Sequence, residues 1–362
     1  MWLTSSSIGR KLVMSVTGIA LVLFVTFHVL MNAVALLWPT AYNQICAFLG
    51  ANWYALIASA GLALLFIIHI VYAVWLTLQN RAARGADRYC VTARQPQVEW
   101  SSKNMLVLGI VVIAFLAVHM VQFWSKMQLK EAMGAGVEDL AQLNGVACDP
   151  AMGTLFLQMA FQEVWTPIVY VVALVALWFH LTHGFWSMFH TIGWDNNVWI
   201  NRLKTIGNWW TTIVVGLFIL QVAVFTYQAK QNFFTENEAL QEQYLEFWDA
   251  PAEQLIADFQ AEQQQLAAAY PGDQDAMVIA IAQQLAPKYV AAAQEIITNV
   301  QAQCGKVIDK SESIATLQNF VQQMSQLQAY VSFQLAQQNL PQETEEAIEA
   351  EEELVQDNVN NQ

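Results

Sequence analysis

No two cysteines of this chain stand at C-x-x-C spacing. Cys46, Cys90, Cys148 and Cys304 are the only four, which argues against a zinc site and against attachment of a c-type haem. There is no cysteine cluster for an iron–sulfur centre and no Gly-rich strand-to-helix fingerprint for a dinucleotide. Charge is scarce too: 12% of residues are charged and 56% apolar, with a mean hydropathy of +0.35. That balance is too apolar for an ordinary soluble domain and points to a membrane protein. The first apolar run, after Arg10-Lys11, reaches about Trp38. A signal peptide has an apolar core of only about 7–15 residues, so the run reads as a retained span.

The scarce charge is unevenly spread. Residues 1–230 hold 12 Lys and Arg against 8 Asp and Glu, and residues 231–362 hold 3 against 21. The net charge of −14 therefore belongs to the C-terminal third. No membrane span is expected there. Apolar residues recur at helical spacing (Leu255 and Phe259, Ile279 and Leu285, Phe320, Met324 and Leu327), with breaks at Pro271-Gly272 and from Gly305 to Ser311. Three amphipathic helices and a disordered acidic tail, about 343–362, are expected.

Five segments reach the roughly 20 apolar residues that a membrane helix needs: about 12–37, 53–78, 104–125, 165–189 and 208–229. Trp and Tyr mark their ends, among them Trp38, Trp53, Trp100, Trp124, Trp165, Trp194 and Tyr227, as in an interfacial aromatic belt. The fold class expected is therefore an all-α membrane protein, a five-helix bundle over residues 1–230 with a helical extension over 231–362. Lys and Arg concentrate at the N-terminus and in the loops after spans two and four, whereas the loop after span one has none. The positive-inside rule then puts the N-terminus in the cytoplasm and the extension outside. Cys46, Cys148 and Cys304 fall on the oxidising side, and a Cys148–Cys304 disulfide is an expectation of this topology.

The six histidines, His28, His69, His119, His180, His183 and His190, all lie in or beside spans one to four. An unpaired imidazole in hydrocarbon is unfavourable, so each needs a partner. At about 1.5 Å per residue, His28 is about 25 Å from the inner start of span one and His119 about 24 Å from that of span three. His69 and His180 are about 24 and 22 Å from the outer starts of spans two and four. Two pairs result, each at one height and each split between two helices, some 15 Å apart in a core of about 30 Å. Two stacked bis-histidine haems would require this arrangement. A single membrane histidine is more often a helix–helix hydrogen bonder or a proton relay. On span four, His183 lies one turn from His180 and competes for the same role, and His190 is at the boundary.

Two stretches resemble a known family. They are Ser6-Ser7-Ile8-Gly9-Arg10-Lys11 with Met14 to Gly18, Phe27-His28 and Asn32, and Phe179-His180-Leu181-Thr182-His183-Gly184-Phe185-Trp186-Ser187 with Thr191 to Trp194. They are similar to the dihaem cytochrome b anchor (b558 type, five helices) of succinate:quinone oxidoreductases. The resemblance covers about residues 1–230 and not the extension. It implies two haems b, the distal one held by His28 and His119 and the proximal one by His69 and His180. The pattern His180, Thr182, Gly184, Trp186 selects His180 over His183. Implied partners are a flavoprotein subunit with FAD, an iron–sulfur subunit, membrane lipid and a quinone, which the dihaem family suggests is menaquinone. The complex can also oligomerise, and no nucleic acid is involved.

The implied activity is electron transfer between the iron–sulfur subunit and quinone in the bacterial inner membrane. The direction, succinate oxidation or fumarate reduction, stays open. Arg81, Arg84 and Arg88 are candidates for haem propionates or partner subunits, against the plainer reading of a solvated loop. A glutamate used by some members at the outer end of helix two has no counterpart between Tyr42 and Trp53. Glu163 is instead the carboxylate nearest the distal layer, a candidate proton acceptor for quinol. Competing readings are the haem b subunit of a nitrate reductase or formate dehydrogenase, and a non-redox membrane protein with a histidine proton relay.

Overall fold

The computed structural model describes residues 6–84, 99–190, 192–194 and 196–338. Arg88, Cys90 and the expected tail lie outside them, and Arg84 is described in its backbone only. The chain divides into two compact units between Gln243 and Tyr244.

Helix α1, Ser7–Leu37, starts where Ser6 Oγ accepts from Gly9 N at 2.9 Å, an N-cap that satisfies a free amide of the first turn. Pro39 opens α2, Pro39–Ala51, at a position where its missing N–H is harmless. Next come α3, Trp53–Arg84, and α4, Trp100–His119, which continues as a π-helical turn, Met120–Trp124. A short α5, Gln128–Met133, precedes a hairpin of β1, Gln142–Leu143, and β2, Val146–Ala147. Its turn uses Asn144 and Gly145, both at positive φ (54° and 84°), as a two-residue type I′ turn demands. Then follow α6, Gly153–Phe161, α7, Trp165–His190, and α8, Trp199–Lys230.

Beyond α8 lie α9, Phe233–Glu236, and α10, Glu238–Ala269. A second π turn, Ile281–Leu285, joins α11, Gln274–Ala280, to α12, Ala286–Cys304, and α13, Glu312–Gln338, closes the described chain.

The chain is a helical transmembrane protein. Among the described residues, six helical stretches are long and apolar enough to cross a bilayer: α1, α3, α4 with its π turn, α7, α8 and the continuous run Gln274–Cys304. The sixth was not expected from the sequence. It is the least apolar and the most buried of the six. Ile281, Leu285, Tyr289, Val290 and Val300 all point into the second unit. There Phe259 meets Tyr289 and Phe320 edge-on, and Trp248 Nε1 donates to Gln303 Oε1 at 2.8 Å.

In the first unit α7 packs on α1, α4 and α8, and α3 lies chiefly on α1. Apolar surface does not drive helices together in lipid, so close approach of small residues and interhelical hydrogen bonds decide the packing. Ser15, Thr17 and Ala35 of α1 are buried, as are Thr166 and Ala173 of α7. Gln221 Nε2 donates to Val29 O across α8 and α1 at 2.8 Å, and Trp178 Nε1 to Thr212 Oγ1 across α7 and α8 at 3.1 Å. A Cβ on Gly207 would lie 2.6 Å from the Phe185 ring, so α8 approaches α7 there only as glycine. Large apolar residues face outward: Leu23, Leu64, Ile67 and Val172 are each more than half exposed, the surface that lipid covers.

The expected Cys148–Cys304 disulfide is corrected: Cys46, Cys148 and Cys304 are all free. Cys148 and Cys304 are fully buried, each within its own unit. Burial pushes the Cys148 thiol up to about 12, so it stays protonated and a poor nucleophile for disulfide exchange.

Candidate functional site

Two histidine layers organise the bundle. At one end, the rings of His28 on α1 and His119 on α4 have centroids 5.8 Å apart and planes at 86°. Phe24 stacks on His28, and Phe115 stacks on His119 with Phe123 tilted on the other side. Each of these phenylalanines is four residues from its histidine, the spacing that puts side chains on one helix face. The setting is apolar, and the ring nitrogens have few partners.

Those partners determine tautomers. Tyr170 O–H donates to Gln122 Oε1 at 2.8 Å, and Gln122 Nε2 donates to Thr166 Oγ1 at 3.2 Å. Having spent its one hydrogen, the Tyr170 oxygen accepts from His119 Nδ1, 3.1 Å away. His119 is thus the Nδ1–H tautomer and leaves the Nε2 lone pair free. The π turn that follows His119 carries Gln122. It closes with Ser125 N on Met120 O at 2.9 Å and wraps one extra residue into the turn, a distortion often found at functional sites. On His28 the neighbour is Asn32, whose Nδ2 donates to His28 O at 2.8 Å and lies 3.3–3.4 Å from both ring nitrogens. Tyr42 O–H donates to Asn32 Oδ1 at 3.2 Å and holds that amide from α2.

The second layer lies ten residues down both helices. His69 Cε1 on α3 is 4.0 Å from where a Cβ of Gly18 would sit, and His180 Cε1 on α7 is 3.9 Å from that of Gly109. Gly18 precedes His28 by ten residues and Gly109 precedes His119 by ten, so the layers are about 15 Å apart along the helices. His69 and His180 are within electrostatic reach of one another. Thr17 Oγ1 donates to Val13 O at 2.9 Å, so it accepts from His69 Nδ1 at 3.1 Å. His69 therefore has the same tautomer as His119, with Nε2 free. His180 Nδ1 is buried with no hydrogen-bond partner.

His183 is differently engaged. Its Nδ1 lies 3.2 Å from Glu99 Oε2, and Lys204 Nζ lies 3.2 Å from Glu99 Oε1 and over the Trp186 ring. Burial works to raise the Glu99 carboxyl, but the hydrogen bonds from His183 and Lys204 hold it below its ordinary range. His190 is exposed beside Trp186. Arg81 is exposed near the end of α3.

Two imidazoles on opposite faces of one metal, with bonds of about 2 Å, have centroids roughly 6 Å apart. The His28–His119 spacing fits a bis-histidyl haem iron, as do the free Nε2 lone pairs of His119 and His69. In each of these two a protein oxygen accepts the other ring N–H, the arrangement that fixes ligating histidines. The orphaned Nδ1 of His180 marks a ring with no other protein partner.

Glu163 is exposed between α6 and α7 and lines an apolar groove of about 620 Å³ with Gln122 and Lys126. Sequence reasoning missed Gln122, Tyr170, Thr17 and Gly109. Thr17 and Gly109 had a signal in small residues within a span, but Gln122 and Tyr170 had none: a π turn is invisible to helical periodicity, and the Tyr170 contact depends on how α7 meets α4. Comparison with family models, with curated proteins and with solved structures finds no match to this chain.

Proposed function

We propose that this chain is the cytochrome b subunit of a quinone-linked respiratory complex in the bacterial inner membrane. It holds one haem b between His28 and His119 and a second between His69 and His180. The observation that carries this reading is the repeated ten-residue offset: Gly18 to His28 on α1 and Gly109 to His119 on α4, with a histidine of another helix facing each position. A proton relay needs donors and acceptors in continuous contact, whereas these histidines occur as two pairs about 15 Å apart.

Bound haem supplies a one-electron carrier, and its potential follows the basicity of its ligands. The chain keeps both sites dry, orients His119 through Tyr170 and His69 through Thr17, and spaces the layers along α1 and α4. With haem bound, the two layers would connect an iron–sulfur partner at one face with quinone at the other. A quinol giving up two electrons would also release two protons, which Glu163 would accept in turn and pass to water, while haem held by His28 and His119 would supply the one-electron acceptor. The motifs around His28 and His180 favour a succinate dehydrogenase or fumarate reductase complex, with FAD and iron–sulfur clusters in partner subunits. Menaquinone is the expected quinone.

Five helices span the membrane in this reading. The apolar residues of Gln274–Cys304 are used up inside the second unit, so that run belongs to an extracytoplasmic extension. Arg81, near the end of α3, then faces the cytoplasmic partners.

The complex purified from membranes should show b-type bands in a reduced-minus-oxidised spectrum, two haems per chain, covalent flavin and haem reducible by succinate. A spectrum without b-type bands would sink the cytochrome reading, and molybdenum in place of flavin would reassign the complex.

A further inference from the structure

The groove beside Glu163 is built from two helix irregularities. One wall is the end of α4 and its π turn, with Ala117, Val121 and Gln122. The other is the end of α6 and the start of α7, with Met159, Glu163 and Trp165. The lining is mostly apolar, and its polar groups are Gln122, Lys126 and Glu163. An acyl chain needs none of these. A flat ring with oxygen atoms at its edge needs all of them: apolar walls for the ring, N–H donors for a carbonyl, and a carboxylate for a hydroxyl proton.

Gln122 is the informative residue. Its amide has two hydrogens and one acceptor oxygen. The oxygen accepts from Tyr170 and one hydrogen goes to Thr166. The second hydrogen is uncommitted on a side chain that lines the groove. Lys126 Nζ is engaged only weakly, by the Met159 sulfur at 3.0 Å.

We propose that the groove is the quinone site, with a quinone carbonyl oxygen accepting the free N–H of Gln122. The chain Gln122–Tyr170–His119 then links the bound quinone directly to a ligand imidazole. This rests on the cytochrome reading for the role of His119, but the location of the site does not depend on haem.

The location is tested by photolabelling membranes that contain the intact complex with an azido-naphthoquinone. Label is expected within residues 117–126 and 159–165. Ala117→Trp should abolish it, because Ala117 is exposed and a bulky side chain there fills the groove without disturbing the core. Label elsewhere on the chain, or label unchanged in Ala117→Trp, overturns the proposal, leaving the groove to lipid acyl chains.

The contact is tested by stopped-flow reduction of the haems with 2,3-dimethyl-1,4-naphthoquinol. Gln122→Leu should raise the half-saturating quinol concentration about tenfold, the equivalent of one hydrogen bond. Tyr170→Phe, which releases the Gln122 amide from its hydroxyl partner, should raise that concentration by less and also shift the potential of the His28–His119 haem. Equal half-saturation in wild type and Gln122→Leu removes Gln122 from the site. A complex without haem fails the cytochrome reading alone, since photolabelling still reports the groove.

Discussion

Both histidine layers flank α1 and α4, ten residues apart along those helices, yet their surroundings differ. In the His28–His119 layer each ring is braced by side chains of several elements: Asn32 of α1 and Tyr42 of α2 on one side, Tyr170 of α7 and the π-turn Gln122 on the other. In the His69–His180 layer one ring meets the hydroxyl of Thr17 inside a regular helix, the other has no side-chain partner at Nδ1, and both face glycines. The first layer is tuned by a polar network that reaches a groove. The second is shaped mainly by the room that two missing side chains leave. In an apolar bundle each polar contact acts at close to full strength, so this asymmetry separates electronic control in one layer from steric control in the other.

The sharpest way to break the comparison is to delete ligands. His28→Ala or His119→Ala should each lose one haem, and His69→Ala or His180→Ala the other. His183→Ala should keep both, because Glu99 engages that ring. Haem per chain, with the wavelength of the surviving band, decides it. Loss of haem in His183→Ala alone would move the ligand layer by one turn, about 5 Å.

Steric control predicts that Gly18→Leu or Gly109→Leu loses only the His69–His180 haem. The alanine variants should keep it, because a Cβ there stands 3.9–4.0 Å from the nearest imidazole carbon, an ordinary contact. Equal loss from both layers in redox titrations would show that the glycines serve helix packing.

Electronic control predicts smaller effects. Tyr170→Phe removes the acceptor from His119 Nδ1–H and Thr17→Val removes it from His69. Each lowers ligand basicity, so each should raise the midpoint of its own haem by on the order of 40 mV, one neutral hydrogen bond expressed as a one-electron potential. A shift in the wrong layer would contradict the tautomer assignment.

The smallest effect concerns the loop over the His28–His119 end. Burial, and after it the nearby Asp149, raises the Glu131 carboxyl from 4.5 to about 7. The folded state therefore keeps a proton that the unfolded chain releases, so this group's contribution is full below pH 4.5 and declines as pH rises to about 7. Glu131→Gln should remove that decline and resist heat better than wild type above pH 7. Thermal inactivation of the two proteins between pH 5 and 8, with an unchanged difference, would show that Glu131 carries no linked proton.

Much of the bundle was legible from composition alone. Uncharged runs of membrane length must become helices, because lipid offers the backbone no other partner, and α1, α3, α4, α7 and α8 lie where those runs are. The heights of the histidines follow from a constant rise per residue. The Asn144-Gly145 turn was readable too, although the loop that holds it was not anticipated. Gln274–Cys304 is the opposite case: its length and composition suit a membrane, and only the packing of Ile281, Tyr289 and Val300 against their own unit shows what its apolar face covers.

The sequence by itself determined a helical membrane chain with histidines at two levels, since both depend on hydropathy and on one repeating distance. Tertiary structure alone decided the hydrogen bonds of each imidazole, the room left by Gly18 and Gly109, the freedom of the three described cysteines and the groove beside Glu163. These depend on which helix faces meet and on a π turn that shifts side chains off the regular period, and neither is encoded in the spacing of residues along one helix.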